Sequence, residues 1–156
     1  ETLSAPDLGR QFSLAVCLEV AEHLSPLRAD PFIGTLTELA PAVLFSAAIP
    51  GQGGTSHLNE RWQSYWAGLF ASRGYVAIDA IRPRVRGLED IDWWYRQNTI
   101  LYVQPGLVSS LPECVRRLQS TPEALDMVDP ICYAAAVSSR RRQVKHFLSP
   151  PRFVRR

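Results

Sequence analysis

An α/β fold with a largely buried sheet is predicted by three observations. Four apolar runs of strand length lie at 12–18, 42–48, 75–81 and 98–103. Between the first three, apolar residues recur at helical spacing, so strands and helices alternate. Where the first run stops, two carboxylates and an imidazole follow at once: Glu19, Glu22 and His23. Ligands of open α/β sheets bind outside the carboxyl ends of the strands, which makes this turn the first place to look for chemistry.

The totals fit one globular unit. The chain has 156 residues, 46% of them apolar, with four Trp and six Phe, enough for a packed core. Three cysteines, at 17, 114 and 132, form no Cys-x-x-Cys pair. An odd count with Cys17 inside an apolar strand points to free thiols in a reducing compartment, hence a cytoplasmic protein. The longest mainly apolar run, 39–50, is short of the roughly 18–20 residues that span a bilayer, and no basic-then-apolar export pattern opens the chain. The net charge of +2 is uneven: seven Lys or Arg and no acid lie from Arg140 onward, against ten basic and fifteen acidic residues before it. A basic tail of this kind reads first as a solvated helix face, ahead of a nucleic-acid contact.

In order, residues 1–11 are polar with Pro6 and Gly9 and read as a linker. The run 12–18 is nearly continuous in apolar residues, as for a parallel strand covered on both faces. If 19–23 turn helical, the i, i+3, i+4 spacing places Glu19, Glu22 and His23 on one face. Asp30 and Pro31 form an N-cap and first-turn pair for a helix carrying Phe32, Ile33, Leu36, Leu39 and Ala40, which Pro41 ends. The strand 42–48 lies between prolines, and a loop containing Gly51, Gly53 and Gly54 follows.

That loop lacks both Gly-x-Gly-x-x-Gly and Gly-Lys-Ser/Thr, so it reads as a segment that shapes a site rather than one that cradles phosphate. His57 sits on it, just ahead of a helix over 59–73 with Trp62, Trp66, Leu69 and Phe70 on one face and Gly74 as its stop. The connection 83–97 shows no strong helical period, so strands 75–81 and 98–103 should pair antiparallel. Beyond Pro105, Thr121-Pro122 and Asp129-Pro130 mark helix starts.

The words Leu18-Glu-Val-Ala-Glu-His-Leu24 and Ile49-Pro-Gly-Gln-Gly-Gly-Thr-Ser-His-Leu-Asn-Glu-Arg-Trp62, in this order of elements, resemble the second half of a class I S-adenosylmethionine-dependent methyltransferase. The resemblance implies a partial Rossmann-like sheet, strands four to seven of that fold, with the seventh antiparallel between the fifth and sixth. It covers about residues 7–104; residues 105–156 are then a helical, Pro-punctuated extension. The family's cofactor signature, a Gly-x-Gly-type loop after the first strand and an acid ending the second, belongs to a half of about 70–90 residues that this chain lacks. Ser13 stands where the fourth strand commonly has Asp, and Asp7 is left as the match to the acid near the adenine. The chain is expected to be a fragment, with strand 12–18 as an exposed edge that recruits the missing half or a second copy.

From the resemblance, S-adenosylmethionine is the implied cofactor, with Leu18 and Glu19 beside it. A small-molecule hydroxyl or amine is the acceptor. His23 or His57 is the candidate base, with Glu19 or Glu22 as its orienting partner. In small-RNA 2′-O-methyltransferases and those of ubiquinone synthesis, a similar Glu-x-x-Glu-His turn ligates a divalent cation. Glu19, Glu22, His23 and His57 match that pattern, which implies Mg²⁺ or Mn²⁺. A metal site, a metal-free histidine base and a helix-capping role are alternatives for this turn. Trp93, Trp94 and Tyr95 are candidates for the floor of the acceptor pocket, against a split between core and surface. The competing function is a non-catalytic module that docks a partner chain or nucleic acid through the sheet edge and basic tail.

Overall fold

In the computed structural model, which describes residues 8–148 and the side chains of 8–139, the first apolar run forms β1 (Ala15–Leu18). The strand stops at Glu19, whose φ of 51° is left-handed and cannot continue an extended chain. A single 3-10 turn, Ala21–His23, follows, and another at Pro26–Arg28 leads into α1 (Ala29–Leu39). Asp30 is therefore not the N-cap expected for it; Arg28 occupies that position. Asp30 instead holds Arg73 at 2.7 Å, pinning the start of α1 to the chain leaving the next helix.

β2 (Ala42–Ser46) lies parallel to β1, with Cys17 opposite Phe45 and Leu18 opposite Ser46. The expected helix over 59–73 is shorter, α2 (Gln63–Ala71). Trp62 precedes it in extended conformation and is 40% exposed, so it leaves the apolar face that Trp66 and Phe70 bury. The first turn of α2 has no local cap; Asp126, far along the chain, accepts the Ser64 N–H at 2.8 Å and does that job. Gly74, at φ 79°, supplies the left-handed stop.

β3 (Val76–Ile78) and α3 (Arg82–Val85) follow. α4 (Trp93–Asn98) then leads directly to β4 (Ile100–Val103). The 83–97 connection is thus partly helical, contrary to expectation; helices of four and six residues are too short to display a period. Beyond them come α5 (Pro105–Val108), α6 (Glu113–Arg116), β5 (Gln119–Ser120) and α7 (Pro130–Leu148). Thr121-Pro122 begins only a 3-10 turn, Pro122–Ala124, whereas Asp129-Pro130 does open a helix.

The sheet order is β1-β2-β4-β3-β5. β4 inserts antiparallel between β2 and β3, and β5 adds antiparallel to β3. The expected antiparallel pairing of the third and fourth strands is present; β5 was not anticipated. One face of the sheet carries Cys17, Val43, Phe45, Ala77, Ile100 and Tyr102 against Ile33 and Leu36 of α1 and Trp66 and Phe70 of α2. Phe70 stacks on Tyr102 with ring centroids 3.8 Å apart. The opposite face is covered at β3 and β4, where Ile78 and Val103 meet Leu107, Val108, Leu111, Val115 and Leu118.

At β1 that opposite face is open. Val16 is 59% exposed and Leu14 46%, so β1 is an edge strand covered on one face only, not on both. Residues after 104 contribute β5 to the sheet and Leu125 to the main core, so the packing continues across that position. Among the described residues no helix is long and apolar enough to cross a membrane. The linker 1–7, with Asp7, and the side chains of the basic tail lie outside the described residues.

Candidate functional site

The carboxyl ends of β1 and β2 are tied together by the loop between β2 and α2. Two backbone N–H groups, of Leu58 (2.8 Å) and Asn59 (2.9 Å), donate to the Glu22 carbonyl oxygen. The Arg61 N–H reaches back to the Ala48 carbonyl at 3.1 Å. These bonds place His57 beside the Ala21–His23 turn although 33 residues or more separate them. The imidazoles of His23 and His57 meet edge to face with centroids 4.9 Å apart.

Each imidazole is anchored through Nδ1. His23 Nδ1 lies 3.3 Å from the Ser56 carbonyl, which can only accept, so this nitrogen carries the proton. His57 Nδ1 lies 3.0 Å from Oε1 of Glu60. Nε2 is the nitrogen left over on both rings. Binding one ring nitrogen to a carbonyl or carboxylate while presenting the other is how metal-ligating histidines are oriented.

Glu22 completes the cluster. It is 1% exposed, and among the described residues neither carboxylate oxygen has a hydrogen-bond partner. Burial, reinforced by the charge of Glu19, holds its carboxyl above the ordinary glutamate value, although the dipole of its own backbone N–H and, less strongly, the two histidines pull the other way. One ligand atom from each of Glu22, His23 and His57 lies within 4.8 Å of the others. A divalent cation fits this set, because it supplies the charge that a buried, unpartnered carboxylate lacks.

The cavity around the cluster has a volume of about 290 Å³ and is lined by Glu19, Glu22, His23, Gln52, Gly53, Gly54, His57, Trp93 and Trp94. Glu19 and Glu22, His23, His57 and two of the three adjacent aromatics named from the sequence therefore share one concavity. Tyr95 is half-buried and does not line it, nor does Leu18, which ends β1. Glu19 lies in the wall but outside the metal-sized cluster; its two oxygens accept from Asn98 and Gln52.

Sequence reasoning missed Glu60, Gln52, Gln97 and Asn98. Glu60 grips the glycine loop as well as His57, accepting the N–H of Gly51 at 2.8 Å and of Gly53 at 3.1 Å. The i, i+3 spacing of His57 and Glu60 was the available signal. Gly54 lies against the His57 ring so closely that a Cβ there would meet Cε1 and Nε2 at 2.3 Å. Asn98 and Gln97 come from the end of α4, held there by Arg82, whose guanidinium donates to the Gln97 and Leu125 carbonyls and pairs with Asp79. Comparisons with protein-family models, with curated proteins and with solved structures find no match to this chain.

Proposed function

We propose that this chain is the acceptor-side half of an S-adenosylmethionine-dependent methyltransferase acting on a hydroxyl of a small molecule. One observation carries the reading: an antiparallel strand inserted between two neighbours of a sheet whose first pair is parallel, with the Glu/His turn at the carboxyl end of that pair. The order β1-β2-β4-β3 is the one that strands four, five, seven and six of such a fold would have. The open face and edge of β1, where Val16 and Leu14 are exposed, also support it, since a preceding strand would cover them.

The chain's residues divide the work by position. Trp93 and Trp94 wall the cavity and would hold an acceptor ring by its faces while excluding water. In the metal-free alternative, Nε2 of His23 or His57 would accept the hydroxyl proton, each ring being held by its Nδ1 contact. A divalent cation held by Glu22, His23 and His57 would lower the pKa of a coordinated hydroxyl. Glu60 keeps His57 in the tautomer that leaves Nε2 unprotonated. A coordinated hydroxyl is the acceptor whose pKa such a cation lowers directly, so the metal alternative favours oxygen over an amine.

Calorimetry with S-adenosylhomocysteine tests the reading. The full-length gene product should bind it, and these 156 residues alone should not, because they contain no Gly-x-Gly-x-x-Gly loop after a first strand. Absence of binding by the full-length product would sink the assignment.

The second reading, a docking module, is favoured by the same exposed Val16 edge. On that reading deletion of 140–156 should abolish a salt-sensitive complex, which an enzyme half would not form.

A further inference from the structure

Glu19 lines the cavity, yet its carboxylate is directed elsewhere. Oε1 accepts from Asn98 Nδ2 at 3.2 Å and Oε2 from Gln52 Nε2 at 3.0 Å. Asn98 Nδ2 also donates to Gln52 Oε1 at 2.9 Å. Gln97 Nε2 donates to that same oxygen and to Asn98 Oδ1, both at 3.0 Å. At the far end, Gln97 Oε1 accepts the backbone N–H of Asp129 at 2.7 Å, just before α7.

The polarity of this amide network is forced. Gln52 Oε1 accepts the Ile49 N–H at 3.2 Å as well, so a flipped Gln52 would set its amide nitrogen against three donors. Position 19 must then present two acceptors, which a carboxylate does and an amide does not. The backbone there is held at φ 51°, sparsely populated by any residue but glycine, and the Glu19 N–H is bound by the Ser46 carbonyl at 3.0 Å. Gln52 sits between Gly51 and Gly53, whose N–H groups Glu60 holds. The glycine loop is thus gripped by two carboxylates, Glu19 through a side chain and Glu60 through the backbone.

The geometry points to Glu19 as a positioning residue that clamps the glycine loop over a three-donor metal centre of Glu22, His23 and His57, selective for a first-row transition ion over Mg²⁺. The selectivity follows from the donors: two imidazoles and one carboxylate suit first-row ions, whereas Mg²⁺ favours oxygen ligands. The inference rests on the metal part of the functional reading and specifies it.

The test is titration of the chain with Co²⁺, followed by its visible ligand-field absorption, for the wild type and for Glu19→Gln, Glu22→Gln and the swapped pair Glu19→Gln/Gln52→Glu. The wild type should bind Co²⁺ and keep it against an equal concentration of Mg²⁺. Glu22→Gln should weaken binding beyond the roughly 100-fold typical of groups behind the ligands. Glu19→Gln should leave the band positions unchanged, weaken binding about tenfold and speed amide exchange at 51–54.

The swap re-creates an acceptor facing a donor and should restore both affinity and exchange. That recovery also shows the site is intact should the single variant fold poorly. A band shift in Glu19→Gln, a loss equal to that of Glu22→Gln, or no recovery in the swap would make Glu19 a ligand. Wild-type affinity with wild-type exchange in Glu19→Gln would remove any positioning role, and displacement by Mg²⁺ would overturn the selectivity. Each of those results leaves the functional reading standing, whereas a wild type that binds no Co²⁺ takes the metal reading and this assignment down together.

Discussion

Oε1 of Glu60 lies 3.0 Å from Nδ1 of His57, and the same carboxylate holds the glycine loop through the N–H groups of Gly51 and Gly53. One side chain therefore sets both the imidazole and the loop packed against it. Glu60→Gln keeps the size but cannot accept with both oxygens. It should reduce Mn²⁺ affinity by about 10–100-fold, measured by paramagnetic resonance of the free ion, with little change in melting temperature.

Glu22 gives the metal-free chain a pH dependence of definite sign. Its carboxyl is raised in the folded state, so the unfolded chain ionises first. The stability it contributes is present in full below the ordinary value of 4.5 and is lost as pH rises through the higher folded value. Glu22→Gln should remove that dependence. It should also stabilise the metal-free protein at neutral pH, because the amide is as unpartnered as the carboxylate but carries no charge to be desolvated. Thermal melts in chelator at pH 5 and 7.5 decide this; an unchanged slope between the two would mean Glu22 is solvated.

Mass action then predicts the opposite effect of metal. At a hundredfold excess over its dissociation constant, Mn²⁺ should stabilise the wild type at neutral pH by about 2.7 kcal/mol and leave Glu22→Gln unmoved. A melting temperature that ignores Mn²⁺ in both would contradict the cluster's assignment.

Gly54→Ala tests how closely the loop fits the ring. The new Cβ would fall 2.3 Å from Cε1 and Nε2 of His57, at a φ of 154° that side chains rarely adopt. His57 must turn or the loop must lift. Metal affinity should drop by more than tenfold, on the order of an outer-shell loss, and circular dichroism should show the helices unchanged.

The three thiols should react in order of exposure. Cys114 is exposed, whereas Cys17 is buried and its thiol is pushed up to about 12, by burial first and then by Glu22 and Glu19. With an aromatic disulfide reagent at pH 8, Cys114 should react within the first phase and Cys17 only on unfolding. Prompt reaction of Cys17→Ser and wild type alike, one thiol fewer in the denatured variant alone, is the expected pattern.

Local pattern in the sequence was enough for the strand and helix alternation, the stop at Gly74 and the helix opening at Pro130. Those features depend on apolar period and on the backbone preferences of Gly and Pro, which neighbours in sequence reveal. The Glu/His turn was legible for the same reason, since its three polar groups sit within five residues.

What each group does was decided by partners that sequence order does not bring together. Glu19 and Glu22 are the same residue type three positions apart. Yet Asn98, 79 residues away, and Gln52, 33 away, hold both oxygens of the first, while no donor among the described residues reaches the side chain of the second. β5 escaped notice because Gln119 and Ser120 carry no apolar signal; they are a strand only because β3 offers them an edge. Residue types and spacing determined which side chains could do chemistry. Long-range hydrogen bonds and burial decided that Glu22, His23 and His57 converge, because the free energy of a buried carboxylate depends on what surrounds it in space.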